Sequence, residues 1–191
     1  MDAIEALLTR RSVGRLTEPA PDEAQLRTML AAATAVPDHG LLRPWRFIVL
    51  RGAGLRALGD AFAQAQAVRE PAAAGASAGL VAASRAKLTR APAVIAVVAS
   101  PQPSEKVPRW EQEASAAAAA QNLCLAAHAL GFGAMWRSGW YGEAEAVRTH
   151  LGIQEGEQVM GWVYLGSVPP DAAPPRVRPP IDLDDVVQWR S

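Results

Sequence analysis

Two short runs place cationic forks and hydroxyls where an anion could be held. Arg10-Arg11-Ser12 directly follows the first helical pattern and offers two guanidinium forks and a hydroxyl, a donor set suited to phosphate or ribityl oxygens. The same triplet also fits a solvated helix end, where arginine favours the negative end of the dipole. Trp136-Arg137-Ser138 closes an otherwise apolar segment, and an arginine there costs desolvation unless something anionic pairs with it. Arg176-Val177-Arg178 adds two further forks in the tail. His39 lies in a loop between Pro37 and Pro44, beside Asp38, where it could equally cap a backbone group.

Gly52-Ala53-Gly54-Leu55-Arg56-Ala57 has the G-x-G-x-x-A pattern of a dinucleotide turn between a strand and a helix. A Rossmann unit also needs a second strand ending in an acid ~20 residues on, and Glu70 lies in a Pro, Ala and Gly stretch without strand potential. The run therefore reads as a plain glycine turn. Cys124 is the one cysteine, which excludes an internal disulfide framework and a multi-thiolate zinc site and points to a reducing compartment. In its apolar helix it reads as an inert core thiol. His128 falls within a helix and His150 at a helix end, so no histidine cluster offers a metal site. No Ser-His-Asp order with a nucleophile elbow is present.

The elements that must carry these residues follow from caps and periodicity. Asp2 can cap a first helix with Ile4, Leu7 and Leu8 on one face, and Asp22 with Gln25 forms a capping box ahead of Leu26, Met29, Leu30 and Ala33. Trp45 to Leu50 reads as a strand, Leu55 to Val68 as a helix, and Arg69 to Gly79 as a mobile loop or lid. Ala93 to Ala99 is apolar on both alternating faces, as in a central strand covered on each side. A long Ala-rich helix spans Arg109 to Leu130 and ends at Gly131, a strand follows over Ala134 to Ser138, and a helix over Glu143 to Leu151 is closed by Gly152. Val159 to Val168 is the last strong strand. Beyond it a Pro-rich tail, residues 169–191, ends in IDLDDVVQW, which has apolar residues and nothing of its own to pack on. The order implies one α+β domain over residues 1–191 with a layered sheet, and the tail suggests a partner subunit.

Composition bounds the partners. Lys plus Arg and Asp plus Glu each number 19, so no large field of one sign recruits nucleic acid or anionic membrane. The chain is 50% hydrophobic and 20% charged, which suits a globular core. The N-terminus lacks a basic region and a long apolar stretch, and no run of about 18 uncharged apolar residues occurs, so a soluble cytoplasmic protein is expected.

Taken together, four ordered blocks resemble the nitroreductase family, dimeric FMN-dependent flavoproteins, and in particular its compact bacterial subgroup of NAD(P)H nitroreductases. They are RRS at Arg10, VPDHGLLRPWRF from Val36, KVPRWEQE from Lys106 and GFGAMWRSG from Gly131, within a resemblance running from Ala3 to about Gly166. The resemblance implies a nitroreductase-like layered fold, a central sheet flanked by helices in an intertwined homodimer. It implies that Arg10, Arg11 and Ser12 hold the FMN phosphate and ribityl chain, and that His39, with Ala35 nearby, contacts the same flavin from the other subunit. Trp136, Arg137 and Ser138 would line the isoalloxazine and phosphate. Ala126, Ala127, His128, Ala129, Leu130 and Gly131 match a segment assigned to the nicotinamide nucleotide. Arg176 and Arg178 resemble a phosphate-contacting pair of longer family members. Many members carry a basic residue two positions after the Ser, whereas this chain has Gly14 there and Arg15 next, which makes Arg15 the candidate for stabilising reduced flavin. The implied activity is hydride transfer from NAD(P)H through FMN to nitroaromatic, quinone or related acceptors in a ping-pong cycle, the protein supplying position and charge. A flavin-binding sensor or storage protein with little turnover would use the same contacts.

Overall fold

The computed structural model describes residues 1–70, 76–172 and 179–190. Four strands form one antiparallel sheet in the order β1-β2-β4-β3, with β1 Trp45–Arg51, β2 Ala93–Ala99, β3 Gly133–Arg137 and β4 Gln158–Gly166. Every residue of β2 is buried, because helices cover both faces and β1 and β4 cover both edges. The period of two sorts its side chains: Ala93, Ile95 and Val97 join one core cluster, Val94 and Ala96 the other.

The first cluster is closed by α2 (Glu23–Thr34) and α5 (Arg109–Ala129). Asp22 accepts from the Gln25 backbone N–H at 2.8 Å while the Gln25 side chain accepts from Asp22 N–H, which is the expected capping box. Helix α5 has 21 residues, on the order of 30 Å. Its Ala116, Ala119, Ala120 and Ala127 are buried, so small side chains let it lie close on the sheet. Gly131, at φ 83°, ends it: Phe132 N–H reaches Ala127 carbonyl and Gly131 N–H reaches His128 carbonyl.

The second face carries α3 (Gly52–Arg69), with α4 (Ala76–Ala86) packed on it, and α6 (Glu145–Leu151), closed by Gly152 in the left-handed conformation. Gly52 to Ala57 forms the first turns of α3, and β1 runs antiparallel to β2, so no parallel crossover surrounds the glycines. The run expected as a glycine turn is thus the start of the helix itself, three residues earlier than expected. The stretch expected as a lid is corrected in part: residues 76–79 begin α4, while 71–75 lie outside the described residues.

The first helix, α1 (Ala3–Thr9), is capped by Asp2 as expected, yet only Ala6 is buried. Ile4 and Leu8 are 65% and 67% exposed, so the apolar face read in the sequence is turned outward. The tail is similar: Ile181, Leu183, Val186 and Trp189 are all exposed.

Candidate active site

Ser12 forms an isolated parallel bridge with Ala134, which lays the Arg10-Arg11-Ser12 run along the outer edge of β3. Val13 N–H donates to Ala134 carbonyl at 3.0 Å and fixes that register. The run thereby lines a hollow of about 800 Å³ with Gly14 and Arg15, with Cys124 and His128 of α5, and with Asp171 at the start of the tail. The triplet is not uniform. Arg11 donates to the carbonyls of Leu8 (2.6 Å) and Arg10 (2.9 Å), closing the end of α1 as the helix-end alternative requires. Arg10 and Ser12 remain the anion-facing candidates.

Thr9 and His128 brace this hollow. Thr9 donates its one hydroxyl proton to Glu5 carbonyl at 2.6 Å, so the 2.9 Å contact with His128 Nε2 has the imidazole N–H donating. Cys124 is buried below, and burial pushes its thiol up to about 11 despite the nearby Arg10, so it stays protonated and inert at neutral pH. Of the Ala126 to Gly131 segment only His128 lines the hollow. Ala127 is fully buried against the sheet and has no surface to offer a nucleotide, which corrects that part of the expectation.

Strand alternation splits Trp136-Arg137-Ser138. Trp136 faces α2 and α5, where it packs on the core cluster and donates from Nε1 to Met160 carbonyl at 3.1 Å. Gly161 makes this possible: at φ 143°, a Cβ there would collide with the Trp136 indole nitrogen and the Arg137 carbonyl. Arg137 faces the other way. Its guanidinium lies 5.5 Å from the Tyr164 ring centroid, and its NH2 sits 3.9 Å from where a Cβ on Gly14 would be. Arg137 Nε is buried and has no hydrogen-bond partner among the described residues, a cost that an anionic or acceptor-bearing ligand would remove.

Arg137 and Ser138 line a second hollow of about 370 Å³ with Lys87, Arg90, Trp140, Tyr141 and Tyr164. Among the described residues, three cations and no carboxylate line it, on an aromatic wall. Burial pushes the Tyr164 phenol up to about 12, opposed by Arg137 and Arg90, so that ring stays neutral. Lys87 and Arg90 were missed in the sequence, because they come from a helical turn after α4 that converges on β3 only through the fold. The alternation of β3 could have separated Arg137 from Trp136 beforehand.

His39 lies elsewhere, in a hollow of about 490 Å³ with Asp38, Glu111 and Ser115. Its Nδ1 is 2.8 Å from Glu111 Oε1. Asp38 accepts from the backbone N–H groups of Leu42 and Arg43, holding a loop in which Leu41 and Arg43 adopt positive φ, 53° and 49°. Two non-glycine residues in that region are held strain, of the kind found around ligand sites. Ala35 caps the end of α2 just before this loop. Arg176 and Arg178 lie outside the described residues.

Comparison with known proteins bears on the family and the fold. Residues 7–167 match the family described as the nitroreductase family. The candidate NAD(P)H nitroreductase YdjA of Escherichia coli K12 is 41% identical over 167 residues, covering 87% of this chain and 88% of its own. Among solved structures, a nitroreductase-like family protein from Bacillus cereus superimposes with a TM-score of 0.82 at 24% identity, covering 100% and 97% of the two chains. The FMN-dependent nitroreductase NfnB of Mycobacterium smegmatis, solved with NADPH, gives 0.77 at 19% identity, covering 99% and 98%. The family match takes in all four strands of the sheet, and this chain belongs to the nitroreductase family.

Proposed function

We propose that the chain is an FMN-dependent oxidoreductase that takes hydride from NAD(P)H and passes electrons to nitroaromatic, quinone or related acceptors. The observation that carries this reading is the line of donors joined at Gly14: Arg10, Ser12 and Arg15 on one side, Arg137, Lys87 and Arg90 on the other. A ligand with a phosphate at one end and a ring that gains negative charge on reduction matches that line, and the unpartnered Arg137 Nε fits an acceptor atom there. The names of YdjA and NfnB support the donor and the cofactor.

FMN held there would supply two-electron hydride chemistry. The chain's residues do the rest. Arg10 and Ser12 grip the phosphate, with Arg176 and Arg178 as further candidates. Arg137 and Lys87 present positive charge to the pyrimidine edge, where a fixed cation favours the reduced, anionic form. Lys87 replaces Arg15 in this role, because Arg15 is exposed on the phosphate side while Lys87 stands in the aromatic hollow. Trp140 and Tyr141 wall off water. His39 lines a hollow separate from that of Arg10, so a contribution from it to the same flavin requires a second copy of the chain, with Ala35 beside it. The uncovered face of α1 and the apolar tail are surfaces such a homodimer would cover. No described helix is long and apolar enough to cross a membrane.

The test is the visible spectrum followed by anaerobic stopped flow. The purified protein is expected to be yellow and to bleach within the turnover time on mixing with NADPH or NADH. With a nitroaromatic or quinone it should give parallel double-reciprocal lines, since one flavin face serves donor and acceptor in turn. A colourless protein that takes up no added FMN refutes the reading. Bleaching far slower than any turnover makes the protein a flavin sensor or store, and intersecting lines refute the ping-pong order.

A further inference from the structure

Beneath the aromatic hollow lies a polar chain, running down from Lys87, whose internal hydrogen bonds the function proposed above does not use. Lys87 Nζ donates to Tyr141 Oη at 2.8 Å and stands 4.4 Å from the Tyr141 ring centroid. Tyr141 Oη is 2.7 Å from Ser84 Oγ and 3.1 Å from Gln66 Oε1, and Ser84 Oγ is 2.8 Å from Leu80 carbonyl. Tyr141, Ser84 and Gln66 are all buried, so each proton must be placed.

The direction of the chain is fixed at its lower end. Leu80 carbonyl can only accept, so the Ser84 hydroxyl donates to it and its oxygen is left to accept. The Tyr141 proton then points down, to Ser84 or Gln66, and the phenol oxygen offers its lone pair upward. What it meets is the one group in the chain that can only donate, the Lys87 ammonium. Phe62 and Trp140, each stacked on the Tyr141 ring at a centroid distance of 4.1 Å, hold that ring in place. A lysine side chain is rich in rotamers, and such a clasp restricts them before any ligand arrives.

We propose that Tyr141 is a positioning residue, holding the Lys87 ammonium at the flavin's pyrimidine edge through the Gln66–Ser84–Tyr141 chain. This rests on the placement of flavin in the hollow given above. One acceptor on the protein side leaves the ammonium two protons for the ligand. Without the phenol oxygen the side chain would sample several rotamers, and its charge would act on the ring only part of the time.

The chain has two lysines, Lys87 and Lys106, and Lys106 is exposed, so lysine-labelled NMR gives one signal for each. On the flavin-free protein, the Lys87 ε-methylene is expected to be shifted away from the Lys106 position by the Tyr141 ring. In Tyr141→Phe, which keeps the ring, it should collapse towards Lys106. On the FMN-loaded protein, Lys87→Met and Tyr141→Phe should each weaken the preference for reduced over oxidised FMN about tenfold, a midpoint potential about 30 mV more negative. Ser84→Ala, which leaves the phenol in place, should move both readouts the same way by less, and stands in if Tyr141→Phe fails to fold.

A Lys87 signal unmoved in Tyr141→Phe overturns the proposal. So does a potential that shifts in Lys87→Met but in neither Tyr141→Phe nor Ser84→Ala, and that result leaves the flavin placement standing. A potential unchanged in Lys87→Met overturns the placement itself, and the proposal with it.

Discussion

Replacing Glu157 with Gln tests how the corner before β4 is held. The Glu157 carboxylate accepts from Arg46 Nε at 2.7 Å, Arg46 NH2 at 2.6 Å and Gln154 N–H at 2.8 Å, while the same guanidinium donates to Gly152 carbonyl at 2.8 Å. That fork ties β1 to the turn between α6 and β4. The hydrogen bond from Arg46 holds the Glu157 carboxyl down at about 2, against 4.5 ordinarily, and raises the Arg46 guanidinium in turn. A displacement of that size corresponds to about 3 kcal/mol, trimmed to about 2–3 because the guanidinium meets some solvent. The folded value is the lower one, so this stabilisation is fully present above about pH 4.5 and is lost as pH falls towards 2. Urea unfolding at fixed protein concentration and fixed excess FMN should therefore place Glu157→Gln about 2–3 kcal/mol below wild type at pH 7. At pH 3.5 the gap should narrow by roughly 1.4 kcal/mol, one pH unit's worth. A gap under about 1 kcal/mol at pH 7 would show that the fork adds little beyond a solvated pair. A gap that ignores pH would refute the assignment to the carboxylate charge.

Arg10→Ala should raise the FMN dissociation constant in a fluorescence-quenching titration about 10- to 100-fold, against a change within twofold for the exposed Arg15→Ala, since a charge-assisted contact is worth about 1.5–3 kcal/mol and an exposed arginine near zero. Equal, small effects would return the run to a helix end. Trp136→Ala should lower the unfolding free energy by about 3 kcal/mol, from lost packing and an orphaned Met160 carbonyl, whereas Trp136→Phe should cost about 1 kcal/mol. An Ala variant as stable as wild type but with weakened flavin binding would put the indole at the cofactor after all. Sedimentation of the yellow protein should show a dimer, and dilution to monomer should release flavin. A monomer retaining one FMN per chain would refute the shared site.

Much of the layered fold could be read because its signals are local. Asp2, Asp22 with Gln25, Gly131 and Gly152 mark helix ends by chemistry confined to one turn, and the uninterrupted apolar run of β2 states that both its faces are covered. Helix α4 was harder, because its first turn, Ala76 to Gly79, is alanine, serine and glycine and resembles a loop. The site divides the same way. Arg10, Ser12 and Arg137 stand in short motifs, whereas the Lys87 clasp draws Gln66 from α3, Ser84 from α4 and Tyr141 from the turn after β3. Nothing in sequence spacing links those four. The outward apolar face of α1 was legible as a stripe but not in its direction, because a stripe meant for a partner and one meant for the core look alike.

The central position of β2 also sets a hazard during synthesis. Ala96 pairs with Ile48 upstream and with Trp162 far downstream, so one edge of the strand can be satisfied early and the other only when β4 emerges. At ~5–20 residues per second, the ribosome needs about 3–12 s to pass from the end of β2 to the start of β4. Throughout that interval AVIAVVA, uncharged and without proline, presents an open edge of the type that templates intermolecular pairing. Helix α5, made in the same interval, can cover one face of the strand but not its edge. Soluble yield should therefore depend on how quickly the last third of the chain is delivered, and on what keeps that edge occupied until it arrives.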